Sequence, residues 1–376
     1  MRKILNLLVI IAVIAAGSLF AKGEPVNIET IENLGMGGPG TTLWSRYGVL
    51  YNPALLGLRT GFHLNLFDLP ISISNDIFKF YSFYNDNKDD LEEFTDLPID
   101  KQVELLDEIS DKITKYTVRV KIGALNPSIS MGPIPAFGLP GDLIVGAGLY
   151  NQADVGAKMN AGILVPTVDI WAKVDVVLAF PVVYRPENLP FSLPGKANVG
   201  VSLKYIARSK LEEKRMSILE FQDYDIDTEN LEPGRGIGWD VGVLYEFSDK
   251  WNFSFVMKDF LSTRISYSDD TSEVIKTQTS LGAAYKMNKM LSFAGEVRDI
   301  KFGDLGTSKL FTKLYLGGEL SLIKIIKVRG GFYQGYPSFG FGLAGFLNYA
   351  NYARELSDYP GLKPERSHVI SLSIGF

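Results

Sequence analysis

The sequence predicts an all-β fold: an antiparallel transmembrane β-barrel of about 14 strands (12 to 16), with one short acidic helical insert. Three observations predict it. Beyond about residue 115, apolar side chains alternate with polar or small ones in segments of about ten residues separated by short turns. Mean hydropathy is +0.08 and 37 residues are glycine, yet after the first 21 residues no apolar run approaches the roughly 20 that a membrane helix needs. Finally, Ile370, Leu372, Ile374 and the terminal Phe376 alternate with Ser371, Ser373 and Gly375. A soluble sandwich alternates too, but segments this long match the 9–11 residues of a tilted membrane strand.

Taken in order, Met1-Arg2-Lys3 and the apolar run Ile4 to Phe20 read as an export signal over residues 1–21. Cleavage is placed after Ala21; a cut after Ser18 fits the small-x-small preference better, and an uncleaved anchor is the alternative. Among the strands, Trp239, Val241, Val243, Tyr245 and Phe247 oppose Asp240, Gly242 and Glu246. Trp251, Phe253, Phe255 and Met257 follow after only Ser248-Asp249-Lys250. Ile170 to Phe180, Val199 to Tyr205, Leu281 to Met287 and Leu314 to Leu322 repeat the pattern. The closing segment, with Ile370, Leu372, Ile374 and Phe376, is similar to the assembly signal of bacterial outer-membrane barrels.

Near the start, Gly35-Met36-Gly37-Gly38-Pro39-Gly40 contains the spacing of a dinucleotide-binding loop. No hydrophobic strand leads into it and no carboxylate follows about 20 residues on, so that reading fails. Glycine here gives a chain free to turn and approach a wall closely, and Asn52-Pro53 starts a turn. Together with Tyr51, Asn52, Pro53, Ala54, Leu55 and Leu56, the block resembles the opening of outer-membrane barrels related to the FadL channels. Their relatives include PorV-type secretion proteins and the conjugal-transfer TraF-like family, and the TraF-like group is the nearest in form. The resemblance implies that residues 22–57 form a plug or hatch inside a barrel spanning 58–376. Gly35, Met36, Gly37, Gly38, Gly40, Tyr51, Asn52, Pro53 and Ala54 are its motif residues.

Between Asn85 and Lys112 stand eleven acidic residues against three lysines. From Asp100 the segment reads as a helix with a stripe of Ile99, Val103, Leu106, Ile109 and Ile113. Such a charge cannot lie in lipid, so the insert, residues 85–115, belongs in a loop or against the barrel mouth. The polar strand faces present Arg119, Lys121, Lys173, Lys204, Arg208, Lys258, Lys286, Arg298, Lys327 and Arg329 against Asp175, Asp240, Glu246, Glu296 and Glu319. These predict a net-positive lumen capped by the acidic insert; the competing reading is a solvated acidic loop and lumen charges neutralised across strands.

Several classes of function are excluded or left without material. A net charge of −5 argues against a nucleic-acid surface. With no cysteine there is neither disulfide scaffold nor lipid-anchoring thiol. His63 and His368, the two histidines, supply no zinc site or catalytic triad. No calcium-loop spacing occurs in the insert, so neither metal nor cofactor is expected, nor an enzyme. The FadL resemblance implies a passive outer-membrane channel for small amphipathic or hydrophobic molecules. The PorV and TraF relatives imply instead a non-transporting docking or assembly barrel for surface secretion or conjugation. The expected partners are outer-membrane lipid, the barrel-assembly machinery, and a small amphipathic ligand or an envelope protein.

Overall fold

The computed structural model describes Val26 and residues 28–112, 116–136, 138–160, 167–189, 193–217, 220, 231–299, 308–323, 325–355 and 364–375. The export signal, the first residues of the plug, Ile113 and Phe376 lie outside them. One antiparallel ladder runs through all the strand segments and closes on itself. Three of its strands are interrupted, so the wall has fourteen: β1 (Gly61–Ser74), β2 (Thr117–Ile122 with Ser128–Pro135), β3 (Gly141–Asn160), β4 (Thr167–Pro186), β5 (Lys196–Ser217), β6 (Glu232–Glu246), β7 (Trp251–Lys258 with Thr263–Tyr267) and β8 (Ser272–Ile275 with Gln278–Lys286), then β9 (Leu291–Arg298), β10 (Leu314–Leu322), β11 (Ile326–Tyr333), β12 (Tyr336–Leu343), β13 (Leu347–Glu355) and β14 (Pro364–Gly375). Closure pairs Asp68 of β1 with Ser373 of β14 and Ile71 with Ile370. This is the predicted barrel at the predicted strand number.

Period-two patterning sets the two faces of the wall. Outward rows carry Leu178, Phe180 and Val182 on β4, Trp239 on β6, Phe253 and Phe255 on β7, Phe339 and Phe341 on β12, and Ile370, Leu372 and Ile374 on β14, all exposed. An exposed apolar band running round a molecule calls for an apolar surrounding. The turns at the end holding Gly61 and Gly375 are short. Asn288 closes one by accepting from the Met290 and Leu291 N–H groups, both at 2.8 Å. At the other end Gln334 (φ 52°) and Gly335 (φ 82°) make a two-residue hairpin turn of the kind that matches strand twist.

The acidic insert lies elsewhere than over the mouth. The excursion between β1 and β2 starts before residue 85 and holds three helices, α3 (Asp76–Asp86), α4 (Lys88–Glu92) and α5 (Ile99–Lys112), where the sequence predicted one. The aromatic run from Phe78 to Phe83 reads as strand by composition, which hides α3. Phe83, Phe94, Leu105 and Ile109 pack on Val120 of β2, Ala153 and Val155 of β3, Val168, Ile170, Ala172 and Val174 of β4, and Leu211 and Met216 of β5. These wall residues alternate with Lys121, Asp154 and Asp175, which face the interior, so the insert covers the outer surface of the wall. A cap on the lumen is therefore corrected: the aliphatic outward face of β2–β5 offers the insert an apolar seat that the polar lumen lacks. The predicted stripe shifts too. Ile109 is 1% exposed, but Ile99 is 78% and Val103 52% exposed, and Leu105 takes their place against the wall.

Candidate functional site: the plugged lumen

Residues 28–58 sit inside the barrel. Thr30 caps α1 (Ile31–Gly35), its side chain accepting from the Asn33 N–H. Gly37 (φ 85°) and Gly38 (φ 94°) then turn the chain, followed by α2 (Gly48–Tyr51) and a 3₁₀ turn at Pro53–Leu58. Asn52 shapes that second turn: its Oδ1 accepts from the Ala54 N–H at 2.9 Å and its Nδ2 donates to the Thr41 carbonyl at 2.9 Å. Pro53 at the first position costs no hydrogen bond there.

The fit depends on missing side chains in the wall. A Cβ on Gly317 of β10 would stand 1.9 Å from the Met36 carbonyl oxygen, and one on Gly331 of β11 2.5 Å from it. Gly242 of β6 would put a Cβ 2.0 Å from Asn52 Oδ1, and Gly200 of β5 2.3 Å from the Ala54 nitrogen. Gly35 itself meets Gly340 of β12 backbone to backbone. These wall glycines are thus clearance for the plug on several strands at once.

Polar contacts fix the rest. Glu296 of β9 accepts from the Gly40 N–H (2.7 Å), the Thr41 N–H (3.0 Å) and the Thr41 hydroxyl (3.1 Å). Arg298 donates to Glu296 at 2.6 Å, to Glu29 of the plug at 3.3 Å and to the Gly38 carbonyl. Its guanidinium lies 4.0 Å over the Tyr315 ring, and the Tyr333 hydroxyl donates to Glu29 at 2.9 Å. On the opposite side the Tyr47 hydroxyl donates to Asp68 of β1 and accepts from Asn126 at 3.0 Å. Asn126 sits in the break of β2, with φ 34° beside Leu125 at 67°. Ser371 and Ser373 of β14 also donate to Asp68, at 2.5 and 2.6 Å. Burial and the adjacent Asp68 raise the Tyr47 phenol well above the usual tyrosine value; burial, then Glu29, does the same to Tyr51.

The predicted lumen cations all take inward positions, but in company. Arg119 bridges Asp154 (2.5 Å) and Glu365 (3.3 Å), with Lys121 4.0 Å from Asp154 and Lys173 directly across from that carboxylate. Arg208 pairs with Asp175 at 2.5 Å. Lys204 bridges Asp240 (2.7 Å) and Asp259 (2.9 Å), with Lys258 close by. Arg329 and Lys327 share Glu319, each at 2.7 Å, and Lys286 ends its strand at the short-turn rim. The expectation of a net-positive lumen is therefore corrected in favour of the competing reading, with charges neutralised across strands. Asp68, Asp154, Asp259, Glu365 (which also takes Arg354) and the plug's Glu29 join the carboxylates already named. Single carboxylates in apolar or mixed runs, such as Asp68 in Leu66-Phe67-Asp68-Leu69, gave no sign of a partner. The motif residues Gly35, Met36, Gly37, Gly38, Gly40, Tyr51, Asn52, Pro53 and Ala54 lie together in this plug. Ile370, Leu372 and Ile374 line the outer face of β14. Among the described residues no three metal-binding side chains converge.

The plug reaches every side of the lumen, from Asp68 through Gly200 and Glu296 to Ala350 and Val369. A cavity beside it, of about 20 Å³ and lined by Glu29, Ser72, Lys121 and Tyr352 among others, has room for about one water. A closed fourteen-stranded transmembrane β-barrel with its own N-terminal segment as an internal plug is the class that this geometry defines.

The family described as "F plasmid transfer operon, TraF, protein" matches residues 188–297, the stretch from β5 to β9. The TraF-like resemblance of residues 34–56 is thereby joined by a second, separate stretch of the chain. No curated protein matches the sequence. Among solved structures, a TodX mutant described as a monoaromatic hydrocarbon channel is similar at 12% identity, over 92% of this chain and 97% of that one, with a TM-score of 0.48. The P. putida toluene transporter TodX gives 12%, 92%, 97% and 0.47. A mutant Rh. blastica porin gives 12% identity over 84% of this chain and 100% of that one, with a TM-score of 0.29.

Proposed function

We propose that this protein is an outer-membrane channel held shut by its N-terminal plug, and that it passes small amphipathic molecules. The observation that carries the reading is the plug itself, bonded to the wall on all sides through glycine clearances and through Arg298 and Asp68. The exposed apolar band supports membrane placement. The short turns gather at the end holding both barrel termini, the periplasmic end in barrels of this kind, which puts the insert outside the cell. The inward face favours amphipathic over purely hydrocarbon cargo. Arg119, Arg208, Lys204 and Arg329 with their carboxylates line the path, and a molecule without polar groups would have to displace those pairs without replacing them.

The completeness of the seal favours a second reading, a docking barrel for surface secretion or conjugation that never opens. Single-channel recording in planar bilayers separates the two. The wild type is expected closed, with current appearing when residues 28–58 are deleted or loosened and small amphipathic solutes retarding it. A barrel that stays silent once the plug is loosened overturns the channel reading. Fractionation tests the location: the chain is expected with outer membranes, migrating faster on SDS gels before heating than after.

A further inference from the structure

The outer face of the closing strands carries a basic cluster that plug, lumen and insert leave unused. On β14 the buried inward row is Glu365, Ser367, Val369, Ser371 and Ser373, so Arg366 and His368 point outward above Ile370, Leu372 and Ile374. Register sets Asn351 of β13 beside His368 and Tyr349 beside Ile370. Asn351 Oδ1 accepts from the Arg366 guanidinium, which also donates to the Pro337 carbonyl at 3.4 Å. The Tyr349 hydroxyl lies 2.8 Å from His368 Nδ1; when it donates, the imidazole proton is left on Nε2, free to donate outward. Arg366 has no carboxylate in ion-pair distance among the described residues, unlike Arg119, Arg208, Arg298 and Arg329 of the lumen.

Height decides what such a cluster meets. Arg366 stands nine residues above Gly375 on β14, about 30 Å along a strand. At the usual tilt of about 40° this is roughly 23 Å, the top of an outward apolar band about 25 Å tall. A guanidinium with most of its five donors unspent and an imidazole N–H, oriented by the Tyr349 hydroxyl, therefore sit at headgroup level, directly above lipid-facing aliphatics. Planar, forked donors of this kind suit phosphate oxygens.

We propose that Arg366, His368 and Tyr349 form an outward-facing site for the phosphate of an anionic lipid headgroup in the outer leaflet. The site rests on the outer-membrane reading. The test is native mass spectrometry of the full chain in neutral detergent, with dioleoyl phosphatidic acid or dioleoyl phosphatidylcholine added. Wild type is expected to retain phosphatidic acid about tenfold better, the factor of one charge-assisted hydrogen bond. Arg366→Gln is expected to abolish that preference and His368→Gln to reduce it about threefold. Arg264→Gln, which removes an exposed outward arginine on β7, is expected to leave it intact. Equal retention by wild type, Arg366→Gln and His368→Gln overturns the site, as does an equal loss in Arg264→Gln, which would mark a bulk charge effect. Displacement of the lipid by inorganic phosphate at matching concentration also overturns it, in favour of a free-anion site. A chain absent from outer membranes fails the location reading. One that fractionates there, yet holds phosphatidic acid regardless of Arg366, fails the site alone.

Discussion

The plug and the acidic insert flank β1 in sequence and lie on opposite faces of the same wall. Inside, residues 28–58 are held by hydrogen bonds and ion pairs and by glycines that make room, as with Gly317 under the Met36 carbonyl. Outside, the insert is held by aliphatic and aromatic packing, Phe83, Leu105 and Ile109 on Val155, Ile170 and Val174. Each strand offers both chemistries on successive residues, and the covering segment takes the chemistry of the face that it meets. The polar seat is specific and brittle, since each buried charge needs its partner. The apolar seat is tolerant, because any well-shaped hydrophobic side chain serves.

This contrast can be broken from the inside first. Arg298→Met strands Glu29 and Glu296 without their cation, and breaking a buried pair costs about 3–5 kcal/mol. Loosened plug and measurable current in planar bilayers are expected, and unchanged closure would locate the lock elsewhere. On the outside, Ile109→Ala should cost about 2–5 kcal/mol of insert docking. Faster proteolysis within residues 85–112 with wild-type conductance is the expected pair of results; a change in current would place the insert in the gating path after all.

A smaller effect is expected from Gly317→Ala, an overpacking change worth about 1–3 kcal/mol, read as faster proteolysis of the plug. Alkali should act next. Tyr47 and Tyr51 have raised pKa values in the folded protein, so their contribution is full below the unfolded tyrosine value near 10 and is lost as pH rises above it. The loss is at most about 1.4 kcal/mol per tyrosine for each pH unit above 10. Tyr47→Phe should flatten that alkaline limb of plug release while leaving the insert's proteolysis unaltered. Least of all, Ile99→Ser on the exposed side of α5 should stay within about 0.5 kcal/mol in thermal unfolding, whereas a large loss would mean that α5 buries its other side.

Legibility followed how local each signal is. Alternation belongs to a single strand, so the faces of Trp239 and Asp240, or of Ile370 and Ser371, are readable directly, and with enough such segments the strand number follows. Ion partners are not local: Glu29 meets Arg298 across 269 positions, and only register between distant strands brings them together. Helical periodicity says that α5 buries one side but not against what. A stripe chosen without its seat therefore took Ile99 and Val103, where the wall selects Leu105. The break of β2 carries a turn signal, Gly123 and Asn126-Pro127, but nothing in it says that Asn126 will meet Tyr47.

By itself the sequence determined a closed antiparallel barrel, its inner and outer faces, and a glycine-rich N-terminal block of special fit, because side-chain period and composition act within each segment. Only the tertiary structure decided that the plug is locked through Arg298 and Asp68, that the lumen charges balance, and that the acidic insert lies outside. Those outcomes depend on which strands become neighbours once the wall closes, and closure is a property of the whole ladder that no single stretch of chain carries.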